Sequence, residues 1–365
     1  MQNSSAPTSA ARINLLVMQG DGIGPEITAA TLSVLEAVDH SFGLGLAFEH
    51  ATIGLTSLAE RGTTFPPELL DRARAADGIV LGPVSHNDYP PVSEGGVNPS
   101  GHLRKHLDLY ANVRPALSHS AFPPRCGHAI DLVIVRENTE GFYSDRSMFS
   151  GSGEFMPTPD LALSLRKVSR HASVRIAETA FALAMTRRQK VTAVHKANVL
   201  RQSDGLFLSC VREVAARYPE VEYDERLIDA MTALLVRDAS GFDVIVSTNM
   251  FGDILSDLAS EISGSLGLAA SLNAGTDHAM AQAQHGSAPD LAGQDVANPC
   301  SLIGSAAMLL DWLGTRRGDT ACREAARAID MAIGRTIADP QTRTRDMGGT
   351  LGTRAFTRCL IDALG

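Results

Sequence analysis

The sequence has few of the features that mark disulfide-stabilised, zinc-binding or membrane-spanning proteins. Its 365 residues include five cysteines, which are widely spaced and form no CxxC pair or cluster with histidine. Such a set predicts neither a disulfide framework nor a zinc site, and it favours a reducing compartment, which we take to be the cytoplasm. No apolar run approaches the roughly 18 residues that a transmembrane helix requires, so we expect no membrane partner.

Positive charge is also scarce. The formal net charge is −9 at pH 7, whereas nucleic-acid-binding proteins usually present a basic face, so we expect no nucleic-acid partner. The stretch before the first apolar segment lacks the basic start and apolar core of a secretory signal. A hydrophobic fraction of 44% and a charged fraction of 20% are ordinary for a globular protein. The length exceeds the usual limit of one hydrophobic core, which predicts two domains.

Segments with strand character alternate with segments of helical periodicity along most of the chain. Strands are predicted near 13–17, 46–54, 77–84, 131–135, 190–198 and 242–249, and helices near 27–38, 66–76, 172–188 and 249–260. Three more helices are predicted beyond residue 296. This order is typical of an α/β fold with a mostly parallel sheet. Residues 145–170 show little periodicity and predict an arm outside the core.

A glycine-rich turn, GDGIG, follows the first strand and is similar to a dinucleotide-binding fingerprint. The G-x-G-x-x-G spacing that begins at Gly20 requires a glycine at position 25, which is proline. Proline suits the first turn of a helix. The turn therefore favours tight local packing over a standard Rossmann cofactor site.

Two carboxylates lie four residues apart in the apolar segment 249–260. On a helix this spacing places Asp253 and Asp257 on one face, with their Cβ atoms roughly 5–6 Å apart. Two anions at this distance repel unless a cation lies between them, and Mg²⁺ or Mn²⁺ prefers carboxylate oxygens. Asp229 follows another apolar stretch and could supply a third oxygen. The alternatives are a solvated helix face or an N-terminal capping arrangement for the pair, and a helix cap for Asp229.

Basic side chains suited to a carboxylate substrate lie near two predicted strands. Arg104, Lys105 and Arg114 fall close together, and Arg136 follows a buried strand. Arginine binds carboxylates through two parallel hydrogen bonds, and sites in open α/β sheets form at strand ends. Together with the acidic pair, these residues predict a small di- or tricarboxylate bound beside a metal. Each arginine alone would be more typical of a protein surface.

Three further features are candidates for proton transfer and cofactor binding. Lys196 ends a predicted strand, and Tyr143 lies seven residues after Arg136. A bound dication disfavours the charged form of a neighbouring lysine and so favours a base at neutral pH. In the loop 285–299, Asp290 could accept hydrogen bonds from a ribose, as acidic residues do in NAD sites. Structural roles, and an ordinary surface loop, are the alternatives.

In order along the chain, these segments resemble the motifs of the β-decarboxylating dehydrogenases, the isocitrate/isopropylmalate dehydrogenase family. The motifs are GDGIGPE, LDLYANVRP, VIVRENTEGFYS, HKANVL, IDAM, NMFGDILSDLAS and HGSAPDLAGQDVANP, and MGGTLGT near the end also fits. One such motif would be weak evidence. Their shared order from residue 20 to 299 makes the resemblance specific.

The resemblance implies a role for each candidate residue. The implied substrate-binding residues are Ser100, Arg104, Arg114 and Arg136. The implied ligands of Mg²⁺ or Mn²⁺ are Asp253 and Asp257 of one subunit and Asp229 of another. The residues implied to line the adenosine side of an NAD pocket are His285, Gly286, Ser287, Asp290 and Asn298. Lys196, from the second subunit, would help to remove a hydroxyl proton, and Tyr143 would protonate the product carbon.

The resemblance also implies an architecture and a reaction. A cofactor-binding domain would combine residues 1–109 and 264–365, and an inserted domain would span 110–263. The arm at about 145–170 would clasp the partner in a homodimer with shared active sites. This fold is not a standard Rossmann domain. The reaction would be the NAD-dependent oxidation and decarboxylation of a 3-substituted (R)-malate, with the metal acting as a Lewis acid.

Two segments depart from the family pattern. Members usually carry Phe-Glu-Pro-Val before the histidine of the cofactor loop, whereas this chain has AQAQ, which places Gln282 at the glutamate position. Isopropylmalate enzymes have leucines before the first arginine, whereas isocitrate enzymes have serine and asparagine at two set positions. Here those positions are Asn98 and Ser100, followed by His102. Their polarity favours a polar substituent, as in isocitrate, homoisocitrate or tartrate, and 3-isopropylmalate is the alternative.

Two other functional classes fit the sequence less well. A non-catalytic regulatory subunit of an NAD-dependent isocitrate dehydrogenase should lack some metal or proton-transfer residues, and this chain has all of them. A metal-dependent hydrolase could use the aspartates but would need neither the arginines nor the loop 285–299.

Overall fold

The structure, a computed structural model, describes residues 12–119, 122–124, 126–143, 148 and 151–365. The strands within them are β1 (Ile13–Met18), β2 (Leu46–Ala51), β3 (Gly78–Leu81), β4 (Ala111–Leu117), β5 (Asp131–Glu137), β6 (Glu154–Thr158), β7 (Leu161–Ser164), β8 (Lys190–His195), β9 (Glu222–Leu227), β10 (Val244–Ser247), β11 (Leu272–Ala274) and β12 (Ala279–Gln282). The helices are α1 (Gly24–Phe42), α2 (Gly54–Arg61), α3 (Leu69–Ala75), α4 (Pro99–His106), α5 (Arg170–Met185), α6 (Ser203–Ala215), α7 (Ile228–Arg237), α8 (Asn249–Ser263), α9 (Cys300–Arg317), α10 (Thr320–Ala338) and α11 (Thr353–Asp362). These elements confirm the predicted α/β class.

Ten of the strands form one sheet, in the order β2-β1-β3-β12-β11-β4-β5-β10-β8-β9. We call the first five strands of this order the β1 half and the last five the β5 half. Strands β5, β10, β8 and β9 run parallel, as do β2, β1, β3 and β12, whereas β4 and β11 pair antiparallel with both neighbours. The two halves therefore meet at the antiparallel pair β4–β11, in the middle of a continuous sheet.

The hydrophobic cores follow the same division. Two clusters of buried residues cover the β1 half, and their fully buried members lie outside 110–263. Two other clusters cover the β5 half, and their fully buried members lie inside 110–263. This segregation supports the predicted domain boundaries near 109 and 263. Because the sheet is continuous across the halves, the division into domains stays a prediction.

The turn at Gly20–Gly24 is held by contacts within the protein. Gly22 has a positive φ of 59°, which favours glycine, and a Cβ atom there would overlap the carbonyl oxygen of Ser287. The backbone N–H of Ile23 donates to that same carbonyl at 2.8 Å. The turn thus packs against the loop that begins at His285 and brings it beside the start of α1.

The predicted arm contains a hairpin, because β6 and β7 pair with each other and lie outside the main sheet. Every residue of these two strands is exposed. Phe155, Met156, Leu161 and Leu163 are among the exposed large apolar side chains. Residues 145–147 and 149–150 of the predicted arm lie outside the described residues. Contact of the arm with a partner subunit stays a prediction.

Among the residues that the structure describes, no helix is both long enough and apolar enough to cross a membrane.

Candidate active site

A cleft of about 370 Å³ lies where the two halves of the sheet meet. The β5 half and helix α8 contribute Arg114, Arg136, Tyr143, Asp253 and Asp257 to its lining. The other side contributes Ser100, Arg104, Gln282, Gln284, His285 and Gly286, among others. The cleft thus brings together nine residues that the sequence singles out for substrate, metal, proton transfer or cofactor.

Helix α8 presents the two aspartates to the arginines of neighbouring strands. Nη1 of Arg114 lies 3.1 Å from Oδ1 of Asp253 and 3.5 Å from Oδ1 of Asp257. Nη1 of Arg136 donates to the same oxygen of Asp253. Both carboxylates therefore face one side of the helix, as their spacing predicts. Leu255 and Ala259 on the opposite side of α8 are fully buried, which anchors the helix on the sheet.

Two residues of helix α8, Asn249 and Ser256, hold the arginines in place, although the motifs assign no role to either. Nε and Nη2 of Arg136 both donate to Oδ1 of Asn249, at 2.9 and 2.7 Å. Nη1 of Arg114 donates to Oγ of Ser256 at 2.7 Å. The sequence does indicate the position of Asn249, because this residue stands four residues before Asp253 and therefore lies on the same face of the helix.

Burial and the charges in the cleft together lower the pKa values of both Asp253 and Arg114 from their ordinary values. Burial alone would raise the pKa of Asp253, but the positive charges of Arg136, Arg114 and Arg104 outweigh burial and lower it. Burial lowers the pKa of Arg114 to about 10, and the neighbouring charge of Arg136 acts in the same direction. Asp253 is therefore ionised and Arg114 protonated at neutral pH.

Tyr143 lies on the acidic side of the cleft. Its hydroxyl donates to Oδ2 of Asp253 at 3.2 Å. The guanidinium carbon of Arg136 lies 5.7 Å from the centre of the Tyr143 ring. The phenol is thus positioned at the mouth of the arginine–aspartate cluster, where it can hold or deliver a proton.

Helix α4 positions Ser100 and Arg104 on the opposite side. Asn98 caps this helix, because its Oδ1 accepts from the backbone N–H of Gly101 at 3.2 Å. Ser100 and Arg104 both donate to Oε1 of Gln282, at 2.9 and 3.2 Å. The sequence shows glutamine where family members usually carry glutamate, but it does not show that Gln282 contacts Ser100 and Arg104.

Asn98 and Ser100 line the cleft, as expected for side chains that meet the C3 substituent, but His102 does not. Its ring lies 5.0 Å from the ring of Phe65 and 4.1 Å from that of His106. Burial, with the nearby charges of His106 and Lys105, lowers the pKa of His102 to about 4. The reason is helical geometry, since Ser100 and His102 stand two apart on α4 and point to different sides.

Lys196 and Asp229 contact each other and do not line the cleft of their own chain. Nζ of Lys196 donates to Oδ1 of Asp229 at 2.6 Å. Lys196 follows β8, and Asp229 lies in the first turn of α7, which follows β9. Both lie at the sheet edge at which β5 ends with Arg136 and Glu137. This placement is compatible with a role in a partner's cleft, which stays a prediction.

The residues predicted for the cofactor form a loop beside the cleft. His285 and Gly286 line the cleft itself, and burial lowers the pKa of His285. Ser287 is buried, and its hydroxyl lies 2.7 Å from the hydroxyl of Ser85. Asp290 is exposed, in the turn Pro289–Leu291.

Asn298 has a structural partner at the far end of this loop. Its Nδ2 donates to Oδ2 of Asp346 at 2.9 Å, and its Oδ1 accepts from the backbone N–H of Cys300 at 3.0 Å. Asn298 therefore holds the loop to the start of α9.

The carboxylate oxygens in the cleft are of the type that a hard divalent cation binds, although one chain supplies too few of them to complete a site. The carboxylates of Asp253 and Asp257 are the oxygen ligands that Mg²⁺ and Mn²⁺ prefer. Within the described ranges, no cluster of three acidic, histidine or cysteine side chains is placed to hold a metal. Further oxygens must come from the substrate, from water or from a second subunit. The chemistry of the pair fits the metal that the motifs imply.

The open side of the cofactor loop also fits a nucleotide. A Cβ atom at Gly286 or Gly293 would meet no atom within 4 Å, so space is open beside both residues. The exposed carboxylate of Asp290 lies between them in the sequence. An acidic side chain in such a loop is suited to the hydroxyls of a ribose.

Comparison with known proteins gives the same family throughout. The sequence profile of the isocitrate/isopropylmalate dehydrogenase family matches residues 14–364. Catalytic subunit 5 of the mitochondrial NAD isocitrate dehydrogenase of Arabidopsis thaliana is 39% identical, over 99% of this chain and 93% of that protein. The isocitrate/homoisocitrate dehydrogenase of Thermus thermophilus is 40% identical, over 96% of this chain and 98% of that protein. The 3-isopropylmalate dehydrogenase of Sulfurisphaera tokodaii is 37% identical, over 96% and 98%.

The fold agrees with the sequence comparison. The crystal structure of isocitrate dehydrogenase from Methylococcus capsulatus superposes with a TM-score of 0.85 at 38% identity, covering 96% of this chain and 99% of that one. The predicted isocitrate/isopropylmalate dehydrogenase-like fold is thereby confirmed. By sequence profile, by identity over nearly its whole length and by fold, the chain belongs to the isocitrate/isopropylmalate dehydrogenase family, whose members are oxidative decarboxylating dehydrogenases.

Proposed function

We propose that the protein is an NAD- and divalent-metal-dependent dehydrogenase that oxidatively decarboxylates a 3-substituted (R)-malate. The substituent would be polar, as in isocitrate, homoisocitrate or tartrate. The observation that carries this proposal is the convergence of three arginines, two aspartates and Tyr143 in one cleft. Arginines suit the carboxylates of such a substrate, and the aspartates suit a cation that the substrate can chelate.

The arginines would bind and orient the malate portion. Arg114 and Arg136 are almost completely buried, at 6% and 2% exposure, so their side chains are already ordered before a ligand arrives. Ordered binding groups lose less conformational entropy when they bind. Asp253 holds both guanidinium groups at its own carboxylate, which fixes the place where a substrate carboxylate would meet them.

Two residues would handle protons. Tyr143 would deliver the proton of its hydroxyl to the product carbon, since that hydroxyl lies beside Asp253. Lys196 would accept the proton of the substrate hydroxyl in the cleft of the partner subunit, where Asp229 keeps its amine oriented. Positioned acids and bases of this kind contribute roughly 10²- to 10⁴-fold to a reaction rate.

Asp253 and Asp257, with Asp229 of the partner, would hold the cation, which when bound supplies Lewis-acid stabilisation of negative charge on the substrate oxygens. Gln284 orients one of these ligands, because its Nε2 donates to Oδ1 of Asp257 at 2.8 Å. The same nitrogen donates to Oγ of Ser260 at 3.2 Å, so the amide is fixed on α8.

NAD is the cofactor we propose, and it would supply the hydride acceptor when bound. His285, Gly286, Ser287, Asp290 and Asn298 would line its adenosine side. Support comes from the open loop beside the cleft and from the NAD specificity in the name of the Arabidopsis relative. The exposed carboxylate of Asp290 would favour free ribose hydroxyls over a 2′-phosphate.

A homodimer with shared active sites is part of the proposal. Lys196 and Asp229 lie outside the cleft of their own chain, and the exposed hairpin β6–β7 offers apolar side chains to a partner. A cytoplasmic location stays a prediction from the five unpaired cysteines.

The polar character of the substituent is supported by Ser100, which lines the cleft from helix α4. The relatives are mixed, because both isocitrate and 3-isopropylmalate dehydrogenases match over nearly the whole chain. 3-Isopropylmalate is therefore the second candidate substrate. A non-catalytic regulatory role is disfavoured, since Arg104, Tyr143, Asp253 and Asp257 are together in one cleft.

The test is a comparison of kcat/KM for isocitrate, homoisocitrate, tartrate and 3-isopropylmalate on one preparation. The assay contains NAD⁺ and Mn²⁺ and follows the absorbance of the reduced cofactor. We expect the highest value for one of the three substrates with a polar substituent. A clear preference for 3-isopropylmalate would overturn the substituent assignment, and no turnover of any of the four would overturn the function.

A further inference from the structure

We propose that Gln284 couples the metal site to the cofactor loop, so that a divalent cation and NAD⁺ each strengthen the binding of the other. This inference rests on the proposed function and deepens it, because it concerns how two ligands of the same cleft act on each other. It is carried by the hydrogen bond between Gln284, which directly precedes the loop 285–299, and Asp257, a proposed metal ligand.

This hydrogen bond joins the two sides of the cleft. Gln284 lies two residues after the end of β12, which belongs to the β1 half of the sheet. Asp257 lies on helix α8, whose buried residues pack into a core cluster of the β5 half. The contact therefore connects elements that belong to different hydrophobic cores.

The amide of Gln284 is oriented by two acceptors on α8. Its Nε2 donates to Oδ1 of Asp257 at 2.8 Å and to Oγ of Ser260 at 3.2 Å. An ionised carboxylate can only accept, so the nitrogen rather than the oxygen of the amide must face it. Both hydrogens of the amide nitrogen are thus directed at one helix, three residues apart, and the side chain is held there.

The backbone of Gln284 is tied to the start of the cofactor loop. Its N–H donates to Oγ of Ser301, in the first turn of α9, at 3.1 Å. The next residue, His285, lines the cleft, and its Nδ1 donates to the carbonyl oxygen of Gly286 at 2.9 Å. Residues 284–286 therefore form one hydrogen-bonded stretch. A restraint on the side chain of Gln284 also restrains the two loop residues that line the cleft.

The other end of the link is a carboxylate that is open to a cation. The side chain of Asp257 is 58% exposed, compared with 34% for Asp253. Within the described residues, the contacts of Asp257 with Gln284 and Arg114 both involve Oδ1, so Oδ2 is open to a ligand.

Ordering of this carboxylate would reach the loop. A cation bound to Asp257 would fix its carboxylate, and the hydrogen bond would then fix the amide of Gln284 and the stretch 284–286. When the first ligand orders groups that the second ligand also needs, the second binds more tightly, because less conformational entropy remains to be lost. The same argument holds if NAD⁺ binds first.

Stability alone does not explain a glutamine at this position. Family members usually carry valine directly before the histidine, and valine cannot donate a hydrogen bond. Oε1 of Gln284 is buried and has no hydrogen-bond partner among the described residues, which is destabilising. The glutamine thus keeps its two contacts with α8 although its acceptor is left unpaired. A link between the two sides of the cleft accounts for such a residue.

The experiment measures the dissociation constants of Mn²⁺ and of NAD⁺, each in the absence and in the presence of the other ligand. Binding of Mn²⁺ is followed by the electron paramagnetic resonance signal of the free ion, and binding of NAD⁺ by calorimetry. Gln284→Val removes both donors, whereas the control, Ser260→Ala, removes one acceptor and keeps the hydrogen bond to Asp257. Thermal melting confirms that each variant is folded.

In the unmodified protein, we expect saturating Mn²⁺ to lower the dissociation constant of NAD⁺ roughly tenfold. Saturating NAD⁺ should lower that of Mn²⁺ by the same factor, because coupling between two binding sites is reciprocal. In Gln284→Val both factors should fall to about twofold or less, while each ligand still binds. The melting temperature of this variant should stay close to that of the unmodified protein, since the unpaired oxygen is removed as well. Ser260→Ala should keep the coupling.

The outcomes separate this inference from the proposed function. If the unmodified protein binds both ligands and turns over a 3-substituted malate, but shows no coupling or the same coupling as Gln284→Val, the inference is wrong and the proposed function stands. An equal loss of coupling in Ser260→Ala would also overturn it, because the effect would then come from packing on α8 rather than from the contact with Asp257. An unmodified protein that fails to bind Mn²⁺ or NAD⁺ overturns both.

Discussion

Gly252 of helix α8 packs directly against the side chain of Arg136 on strand β5. A Cβ atom at position 252 would lie 2.8 Å from both Cβ and Cγ of Arg136, which is closer than carbon atoms pack. The missing side chain lets α8 approach the strand, and the next residue, Asp253, then reaches the guanidinium. The glycine therefore sets how deeply the acidic pair sits among the arginines.

Replacing this glycine should disturb the cleft. Alanine in a helix interior is favoured over glycine by about 1 kcal/mol, but overpacking a tight contact costs about 1–3 kcal/mol. Because the atoms of Arg136 that a new methyl would meet are next to the backbone, they cannot swing away. We expect Gly252→Ala to lower thermal stability slightly and to raise the KM for substrate roughly tenfold.

The matched control is Gly205→Ala. Gly205 lies in helix α6, and a Cβ atom there would meet nothing within 4 Å. Without a clash, only the helix propensity acts, so this variant should be as stable as the unmodified protein or up to about 1 kcal/mol more stable. Thermal unfolding and substrate KM are measured for both variants. Identical behaviour of the two would show that the contact with Arg136 is not limiting.

Activity should require a divalent cation, and Asp253 should be the residue most sensitive to change. Asp253→Asn removes both a proposed metal ligand and the counter-ion of Arg114 and Arg136. We expect activity to be lost or to need much more Mn²⁺, while the protein stays folded. Because the amide oxygen of asparagine can still accept from the two buried arginines, the loss of stability at pH 7 should be about 1–3 kcal/mol. Full activity in the presence of EDTA would contradict the metal assignment.

The stability effect of Asp253 has a defined pH dependence. Its folded-state pKa is lowered, so the unfolded chain binds its proton more readily. The stabilisation is present above the ordinary aspartate pKa of about 4 and is lost as pH falls through the folded-state value. Denaturant unfolding of Asp253→Asn and of the unmodified protein should therefore converge towards low pH.

Sharing of the active site can be tested by mixing subunits. Lys196 and Asp229 lie outside the cleft that contains Arg104 in the same chain. Inactive Lys196→Ala and inactive Arg104→Ala subunits, refolded together, should regain part of the activity, because a mixed dimer would contain one intact site. The control mixes Arg104→Ala with Arg114→Ala. Both of these residues belong to one cleft, so every site in that mixed dimer carries a defect and no recovery is expected.

Verified mixed dimers of Lys196→Ala and Arg104→Ala that remain inactive would contradict the shared site.

Local periodicity accounts for most of the elements that the sequence predicted. Strands β1, β5, β8 and β10 are rich in buried apolar residues, and α8 shows both its acidic face and its buried face in the sequence. Helix α1 begins at Gly24, directly after the glycine turn, and has Pro25 in its first turn. Strand and helix signals of this kind depend on neighbours in the chain, which a sequence displays directly.

Helix α4 also has a start signal in the sequence. The segment that carries Ser100 and Arg104 forms a helix with Asn98 as N-cap and Pro99 at its start. That pair is a recognisable start signal. The helix decides that Ser100 faces the cleft and that His102 does not.

Contacts between distant residues could not be predicted in the same way. Arg136 and Asn249 are 113 residues apart, and Ser100 and Gln282 are 182 residues apart. Each pair meets only because the strand order of the sheet brings its elements together. The motifs indicated which residues matter, but the partners that hold them depend on tertiary packing.

The half-buried imidazole of His102 should make stability sensitive to acid. Its folded-state pKa is about 4, whereas an unfolded histidine has a pKa of about 6.5. Between these values the unfolded chain binds more protons, so stability falls as pH is lowered. His102→Gln should reduce the loss of unfolding free energy between pH 7 and pH 4 by about 1–3 kcal/mol. His128→Gln, at an exposed histidine, is the control and should leave the slope unchanged.

The cofactor preference should depend on Asp290. This carboxylate is exposed in the turn that follows His285, where it would accept hydrogen bonds from the ribose hydroxyls of NAD⁺ and repel a 2′-phosphate. A charge contact of this kind is worth on the order of 1–3 kcal/mol, so we expect kcat/KM for NAD⁺ to exceed that for NADP⁺ roughly 10- to 100-fold. Asp290→Lys should shrink or reverse the preference, mainly through the KM of NADP⁺.

The control for this charge change is Glu60→Lys, at an exposed residue of helix α2, which should leave the preference intact. Kinetic measurements with both cofactors at one saturating substrate concentration distinguish the variants. Because the two replacements alter the net charge equally, a change of preference in Asp290→Lys alone must come from a local contact with the cofactor. Equal kcat/KM for NAD⁺ and NADP⁺ in the unmodified protein would instead mean that Asp290 does not contact the ribose. The carboxylate of Asp290 would then not select between the two cofactors.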